Sequence, residues 1–371
     1  MSFSRREFGR LSALALATPH LNAATRSWAA PDTQRVGYCV IGLGRIAAHF
    51  LAGVANSQSS RVTALVSGHR DKAERVAAQY GVPMDSIYSY EEFDRIGANR
   101  NIDAVYVALP NSMHAEYTMR AARAGKHVLC EKPMAISSAE CRQMIEACTV
   151  ARVKLMIAYR LHDEPITLKA LALVKSGQLG PLQAMEAANG FNIKPGEWRY
   201  TKALGGGGSL FDVGIYCINA FRMFAGGEPS DCHGQVSTMD HDGRFKEVEE
   251  NVSWLMRFPS GALATGASTY GADMSGYYRL HGAYGWLEVG SYTYQGQHIQ
   301  GRYAEEPTRD AKRIDIDETS DELDPMQFVR EADHFAECIL QNKTPKTPGE
   351  EGLADLRCIE AIYRSAGALL S

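Results

Sequence analysis

Apolar residues recur along this chain in two rhythms, and the rhythm changes near residue 159. Before that point, strand-length apolar runs alternate with helical spacing. Val36–Ile41 is such a run, followed at once by a helical pattern through Phe50 and Leu51. Residues 61–66, 102–109, 126–130 and 155–160 are further runs that read as buried strands. Residues 73–80 and 116–124 carry helical spacing, stopped by Gly81-Val82-Pro83 and by Gly125. Strand alternating with helix predicts a doubly wound parallel sheet.

From Tyr159 the alternation breaks. Residues 165–176 read as a helix ended by Gly177, and 182–188 alternate like a strand. Gly205-Gly206-Gly207-Gly208 leads into a long apolar helix over 209–224. Residues 248–258, 262–270, 277–281 and 286–289 then read as successive strands, with Phe258-Pro259-Ser260-Gly261 the clearest hairpin turn. Two helices close the chain, from about 325 to 341 and 352 to 369. Adjacent strands without intervening helices predict a large open, mostly antiparallel sheet with helices on one face. The class is α/β, with one domain over 31–158 and a second, α+β domain over 159–371.

Composition narrows the function. A length of 371 residues, 45% hydrophobic and 22% charged, fits two domains with a sizeable core. A net charge of −4 without a basic run argues against a nucleic-acid partner. No apolar run is long enough to span a bilayer. The eight cysteines form no Cys-x-x-Cys pair, and Cys39, Cys130 and Cys217 fall in apolar stretches, so buried thiols are expected. His127 and Cys130 would face opposite sides of a strand, and no metal site is expected. Residues 1–30 read as a leader. Ser4-Arg5-Arg6-Glu7-Phe8 carries a twin arginine, 11–17 is mildly apolar, and small residues offer cleavage near Ala23-Ala24 or Ala29-Ala30. This predicts twin-arginine export of a folded protein to the periplasm. The alternative is a frayed tail on a cytoplasmic protein.

The chemistry starts at Gly42-Leu43-Gly44-Arg45-Ile46-Ala47, directly after the first strand. Gly42 allows a tight turn, Gly44 lets a pyrophosphate approach, and Ala47 lets the helix pack on the strand. This is the Gly-x-Gly-x-x-Ala fingerprint of a dinucleotide-binding Rossmann unit. An NAD site would place Asp or Glu at the end of the second strand. Ser67-Gly68 stands there instead, with Arg70 and Lys72 behind, which suits a 2′-phosphate and predicts NADP. Leu109-Pro110-Asn111 ends another strand at the crevice. His114 opens the next helix and counts with the cofactor contacts rather than the catalytic groups. Glu131-Lys132-Pro133 follows the strand after that. Lys132 could point beside the nicotinamide, or be an ordinary surface lysine. Arg160, after the last strand, joins the cofactor set and Tyr159 the substrate set. Asp212 and Tyr216 stand at i and i+4, on one helix face. A tyrosine there could equally be core.

Taken together, GLGRIA, Cys-Glu-Lys-Pro-Met and Asp-Val-Gly-Ile-Tyr resemble the family of glucose–fructose oxidoreductase and inositol dehydrogenase (Gfo/Idh/MocA). The likeness runs from Val36 to the C-terminus and is nearest to the sugar–sugar oxidoreductases. Trp198-Arg199, Gly206-Gly207-Gly208-Ser209-Leu210 and Thr347-Pro348-Gly349-Glu350-Glu351-Gly352 support it. The resemblance implies Lys132, Tyr216 and Asp212 as the catalytic set, Tyr216 being the acid/base where most relatives have His. It implies Asp212 as a substrate-positioning residue, Ser67, Gly68 and Lys72 at the 2′-phosphate, and Tyr88 near the adenosine. Trp198 and Arg199 would reach the cofactor from the second domain. The activity implied is oxidation of an aldose at C1 and reduction of a second sugar, on tightly bound NADP(H) in ping-pong. The alternatives are an ordinary NADP-dependent sugar or polyol dehydrogenase, or a non-catalytic sugar sensor. The proline-rich arm of glucose–fructose oxidoreductase is reduced here to residues 25–35, which favours an aldose–aldose type and a homodimer through the open sheet.

Overall fold

The computed structural model describes residues 35–368 apart from 291 and 293. The leader expected over 1–30 lies outside them.

The first half is built on strands β1 (Val36–Ile41), β2 (Ser60–Val66), β3 (Ile87–Tyr88), β4 (Ala104–Val107), β5 (His127–Glu131) and β6 (Leu155–Ala158). They form one parallel sheet in the order β3-β2-β1-β4-β5-β6. Helices α1 (Arg45–Asn56), α2 (Arg70–Tyr80), α3 (His114–Arg123) and α4 (Ser138–Ala151) connect them. The strand order turns back between β1 and β4, so a crevice opens at the carboxyl ends of these strands.

The second half begins with α5 (Pro165–Lys175), β7 (Leu182–Gly190), a single turn α6 (Lys202–Gly205) and α7 (Ile215–Ala225). Seven strands follow: β8 (Asp231–Ser237), β9 (Asn251–Arg257), β10 (Leu263–Thr269), β11 (Tyr277–Gly282), β12 (Trp286–Gly290), β13 (His298–Ala304) and β14 (Arg313–Thr319). The eight-stranded sheet runs β14-β13-β12-β11-β7-β10-β9-β8. Only its β7–β10 pairing is parallel. Its strands alternate as a one-sided sheet must: Val252, Trp254 and Met256 of β9 point into the core, while Ser253, Leu255 and Arg257 face out. The long helix expected over 209–224 is not continuous. Leu210–Gly214 is a π-helical turn, and α7 begins after it.

The last two helices reach back across residue 159 to the first half. Helix α8 (Met326–Leu340) does not stay with the second sheet. Its Phe328, Ala332 and Phe335 share a buried cluster with Tyr38, Phe50 and Tyr106 of the first half. Gly53 on α1 makes this approach possible: a Cβ there would lie 2.7 Å from that of Phe328. Helix α9 (Gly349–Ser365) sends Leu356, Ile359 and Ile362 into a core that runs from β4 and β5 to the second sheet. Residue 159 therefore divides the sheets but not the cores.

Candidate active site

The site grows from the glycine turn after β1. Gly42 has φ +83°, and a Cβ on it would meet the Ala108 carbonyl oxygen at 2.3 Å, so no other residue fits. A Cβ on Gly44 would meet nothing within 4 Å. Helix α1 begins there with no side-chain cap and no acid in its first turn. Open space in front of uncapped N–H groups is what a pyrophosphate requires. Leu43 is buried beside the turn, Ile46 is half-buried, and Arg45 reaches across to Glu197 of the second half at 3.0 Å.

At the end of β2, Ser67 Oγ accepts the His69 N–H at 3.1 Å. Lys72 is exposed and forms no ion pair among the described residues. These groups suit a 2′-phosphate. Two neighbours depart from the sequence reading. Arg70 turns away: Nε pairs with Glu74 at 2.8 Å, and its other nitrogens donate to the carbonyls of Ile87 and Met84. Tyr88 is buried with its hydroxyl on Asn99, and it is the ring of Tyr90 that lies against Gly68.

The next strand ends brace one another. Leu109 is buried and Pro110 half-buried at the turn, and Asn111 Nδ2 donates to the Gly205 carbonyl at 2.9 Å, tying this turn to the glycine run. His114 is fully buried, its ring nitrogens 2.8 Å from the Pro133 carbonyl and 2.9 Å from that of Leu109. Burial pushes its pKa down. It holds two loops together from behind and does not open onto the crevice. Glu131 is likewise buried; its carboxylate accepts from Tyr106 Oη at 2.5 Å and from the Lys132 N–H at 3.2 Å. Burial raises its pKa.

Lys132, held on a cis peptide bond to Pro133, is the centre. Its Nζ donates to the Asp212 carbonyl at 2.7 Å, pairs with Asp212 Oδ1 at 3.2 Å, and stands 4.6 Å from the centroid of the Tyr216 ring. Asp212 lies in the π-helical turn, a distortion often found at functional sites. Its other oxygen accepts from Tyr270 Oη at 2.9 Å and pairs with Arg199 Nε at 3.1 Å. Burial alone would raise the Asp212 pKa, but the Lys132 and Arg199 cations and the Tyr270 hydroxyl bring it down to about 2. Burial also works against the Lys132 ammonium, and Tyr216, Asp212 and Glu131 together hold its pKa above the ordinary lysine value. The result is a fixed ammonium and a fixed carboxylate beside a half-buried phenol.

Arg160 is locked by Gln327 and by the Tyr292 carbonyl, and its guanidinium lies between two tyrosine rings, 5.6 Å from Tyr216 and 4.6 Å from Tyr294. Trp198 stacks under Arg199, 4.8 Å from its guanidinium. The structure thus brings Lys132, Asp212, Tyr216, Arg160 and Arg199 together. It does not bring Tyr159: that hydroxyl faces the opposite way, onto Asp355, which also binds Asn219 and Arg222. Tyr159 is core, not a substrate contact. Tyr270, Tyr294 and Glu197 escaped the sequence reading. Each reaches the site from a different part of the second half, and no local spacing marks them.

Comparisons with known proteins identify relatives of both halves of the chain. Residues 36–159 match an oxidoreductase family with an NAD-binding Rossmann fold, and 167–288 match the GFO/IDH/MocA C-terminal domain. The chain is 31% identical over 310 residues to D-xylose 1-dehydrogenase [NADP(+)] of Haloarcula marismortui, covering 82% of this chain and 83% of that one. Aldose-aldose oxidoreductase from Caulobacter crescentus, solved with glycerol, superposes with a TM-score of 0.83 at 42% identity, over 90% of this chain and 98% of that one. Levoglucosan dehydrogenase superposes at 0.78, but at 22% identity it shows the fold alone.

Proposed function

The chain belongs to the GFO/IDH/MocA oxidoreductase family, acting on sugars with a nicotinamide cofactor, and from that premise we propose an aldose–aldose type of exchange on tightly held NADP(H). One aldose is oxidised at C1 to the lactone and a second sugar is reduced to the alditol. The observation that carries this is Lys132, clamped on Asp212 and suspended over Tyr216 at the carboxyl edge of the parallel sheet. The 42% identity to an aldose–aldose oxidoreductase over 90% of the chain supports the sugar–sugar reading. So does a tyrosine at the acid/base position.

A bound nicotinamide supplies the hydride acceptor and donor. The chain supplies the rest. Gly42, Gly44 and the first turn of α1 would cradle the pyrophosphate, and Ser67 and Lys72 would meet the 2′-phosphate. Tyr216 takes the proton from the sugar O1 during oxidation and returns it to the second sugar during reduction. Lys132 donates to the reacting oxygen and opposes the negative charge that develops there. Asp212 has both oxygens engaged by protein groups, so its part is to aim Lys132. Arg160 adds a second cation near the Tyr216 ring, 5.6 Å from its centroid.

Export to the periplasm, read from the twin arginine, gives a reason for a captive cofactor, because free NADP is scarce there. The exposed Leu255, Leu263 and Trp286 on the outer face of the eight-stranded sheet favour a homodimer through that face. The experiment is incubation of purified protein with one aldose and no added nucleotide, followed by mass analysis. Equal aldonate and alditol are expected. Turnover that requires added NADP, or protein without nucleotide absorbance, would instead point to an ordinary dehydrogenase with exchangeable cofactor. The kinship to D-xylose 1-dehydrogenase favours that second reading.

A further inference from the structure

Two of the eight cysteines, Cys232 and Cys358, line one cavity where a strand meets the last helix. Cys232 lies on β8, buried between the exposed Asp231 and His233. Cys358 lies on α9 and is also buried. The register that joins them is visible one step along. Gly234 stands two residues past Cys232, on the same side of the strand, and Ile362 stands four past Cys358, on the same side of the helix. There α9 lies so close that a Cβ on Gly234 would come within 2.5 Å of Ile362 Cγ2. The Gly234 N–H donates to Ser365 Oγ at 2.7 Å. The missing side chain at 234 lets the helix settle onto the strand that carries Cys232. The two thiols perturb one another directly. Contact with Cys358 holds Cys232 below the ordinary thiol range, and the same contact, with burial, drives Cys358 above it. Both line a cavity of about 360 Å³ that also carries Arg357 and Arg364.

We propose that Cys232 and Cys358 are a redox pair that closes into a disulfide between β8 and α9. The Cys232 thiolate attacks one sulfur of an oxidant disulfide such as oxidised glutathione, forming a mixed disulfide and releasing one thiolate. The Cys358 thiol then attacks the Cys232 sulfur and expels the second thiolate, which takes the Cys358 proton. Two protein thiols are oxidised and one oxidant disulfide is reduced to two thiols. The cavity lining is charge-balanced, with Glu228 and Asp231 beside the two arginines and Arg357 paired to Glu228 at 3.9 Å, so access rather than charge selects the oxidant. The bond uses none of the groups around Lys132, so it is independent of the sugar chemistry. It closes a long loop, and loop closure stabilises chiefly by restricting the unfolded chain.

The test treats the purified holoenzyme with oxidised glutathione, then denatures and alkylates it. Two of the eight thiols are expected to escape alkylation, with the peptides of Cys232 and Cys358 recovered cross-linked. The Tm is expected to rise by several degrees and to fall back with dithiothreitol. Cys358→Ser should instead trap a lasting glutathione adduct on Cys232 and show no rise. Full alkylation of the treated wild type, a bond between other cysteines, or a wild-type adduct that never resolves would overturn the pairing.

Discussion

Tyr216 and Tyr294 flank the same arginine but differ in surroundings. Tyr216 has the Lys132 ammonium over its ring. Tyr294 lies tilted against His49 of α1, ring centroids 4.3 Å apart, and burial, together with the Tyr216 phenol, pushes its pKa up to about 12. It therefore stays a phenol and can donate a hydrogen bond but not take a proton. The two Phe variants should separate these roles. Tyr216→Phe should lower kcat by roughly 10²–10⁴-fold with nucleotide still bound. Tyr294→Phe should raise the KM for aldose by about tenfold, the loss of roughly one hydrogen bond, and leave kcat within a factor of about two. Steady-state kinetics on both, with nucleotide absorbance recorded, decides. Equal losses in kcat would refute the division. Spacing alone leaves Lys132 open to being a surface lysine and Tyr216 to being core; it is the resemblance carried by Glu-Lys-Pro and Asp-Val-Gly-Ile-Tyr that singles out Lys132, Asp212 and Tyr216. Tyr270 and Tyr294 could not be picked from the sequence, because tertiary register alone brings them in. Arg70 was misplaced for a related reason: Glu74, one helical turn on, and two backbone carbonyls compete for its guanidinium.

At the scale of elements, the same contrast holds. Strands β1, β4 and β5 were legible as continuous apolar runs, which two-sided burial requires. β8, β13 and β14 went unread because their outer positions are polar; β14 reads Arg-Ile-Asp-Ile-Asp-Glu-Thr, with only Ile316 deeply buried. Helix α8 was legible as a helix, but its partner was not. It carries Glu331 into the first half, fully buried, with neither carboxylate oxygen hydrogen-bonded. Burial, then the Glu131 and Asp163 carboxylates, raises the Glu331 pKa well above the ordinary value. A carboxyl whose native pKa is raised favours the fold at pH values below its unfolded pKa of about 4.3, and that contribution is lost as pH rises through the native value. Glu331→Met should therefore be more stable than wild type near pH 7, by about 1–3 kcal/mol. The gain should shrink toward pH 4. Urea unfolding across that range checks it, and a gain that grows as pH falls would contradict the sign.

Across the whole molecule, the two halves meet at Arg45, Glu197 and Arg199. Glu197 takes Arg45 at 3.0 Å and Arg199 at 3.1 Å, and so links the glycine turn to the carboxylate that aims Lys132. The pair is partly exposed, with Arg45 at 74%, so its worth is small, up to about 1 kcal/mol. Glu197→Ala should speed nucleotide loss during gel filtration by no more than about fivefold, with kcat largely restored by added NADP. Unchanged retention would remove Glu197 from cofactor holding. The joint core makes a stronger demand. A fragment of residues 35–160 should fail to give a cooperative thermal transition, because α8 is missing from its sheet. A cleanly melting fragment would show that α8 is dispensable.

The return of α8 to the first sheet also sets an order of events during synthesis. The nucleotide-binding half leaves the ribosome first, yet Tyr38, Phe50 and Tyr106 gain their cover only when residues 326–340 have been made. Until then the nascent chain carries an uncovered apolar surface on its first sheet. Completion of the first core is in this sense a late event, tied to the arrival of α8.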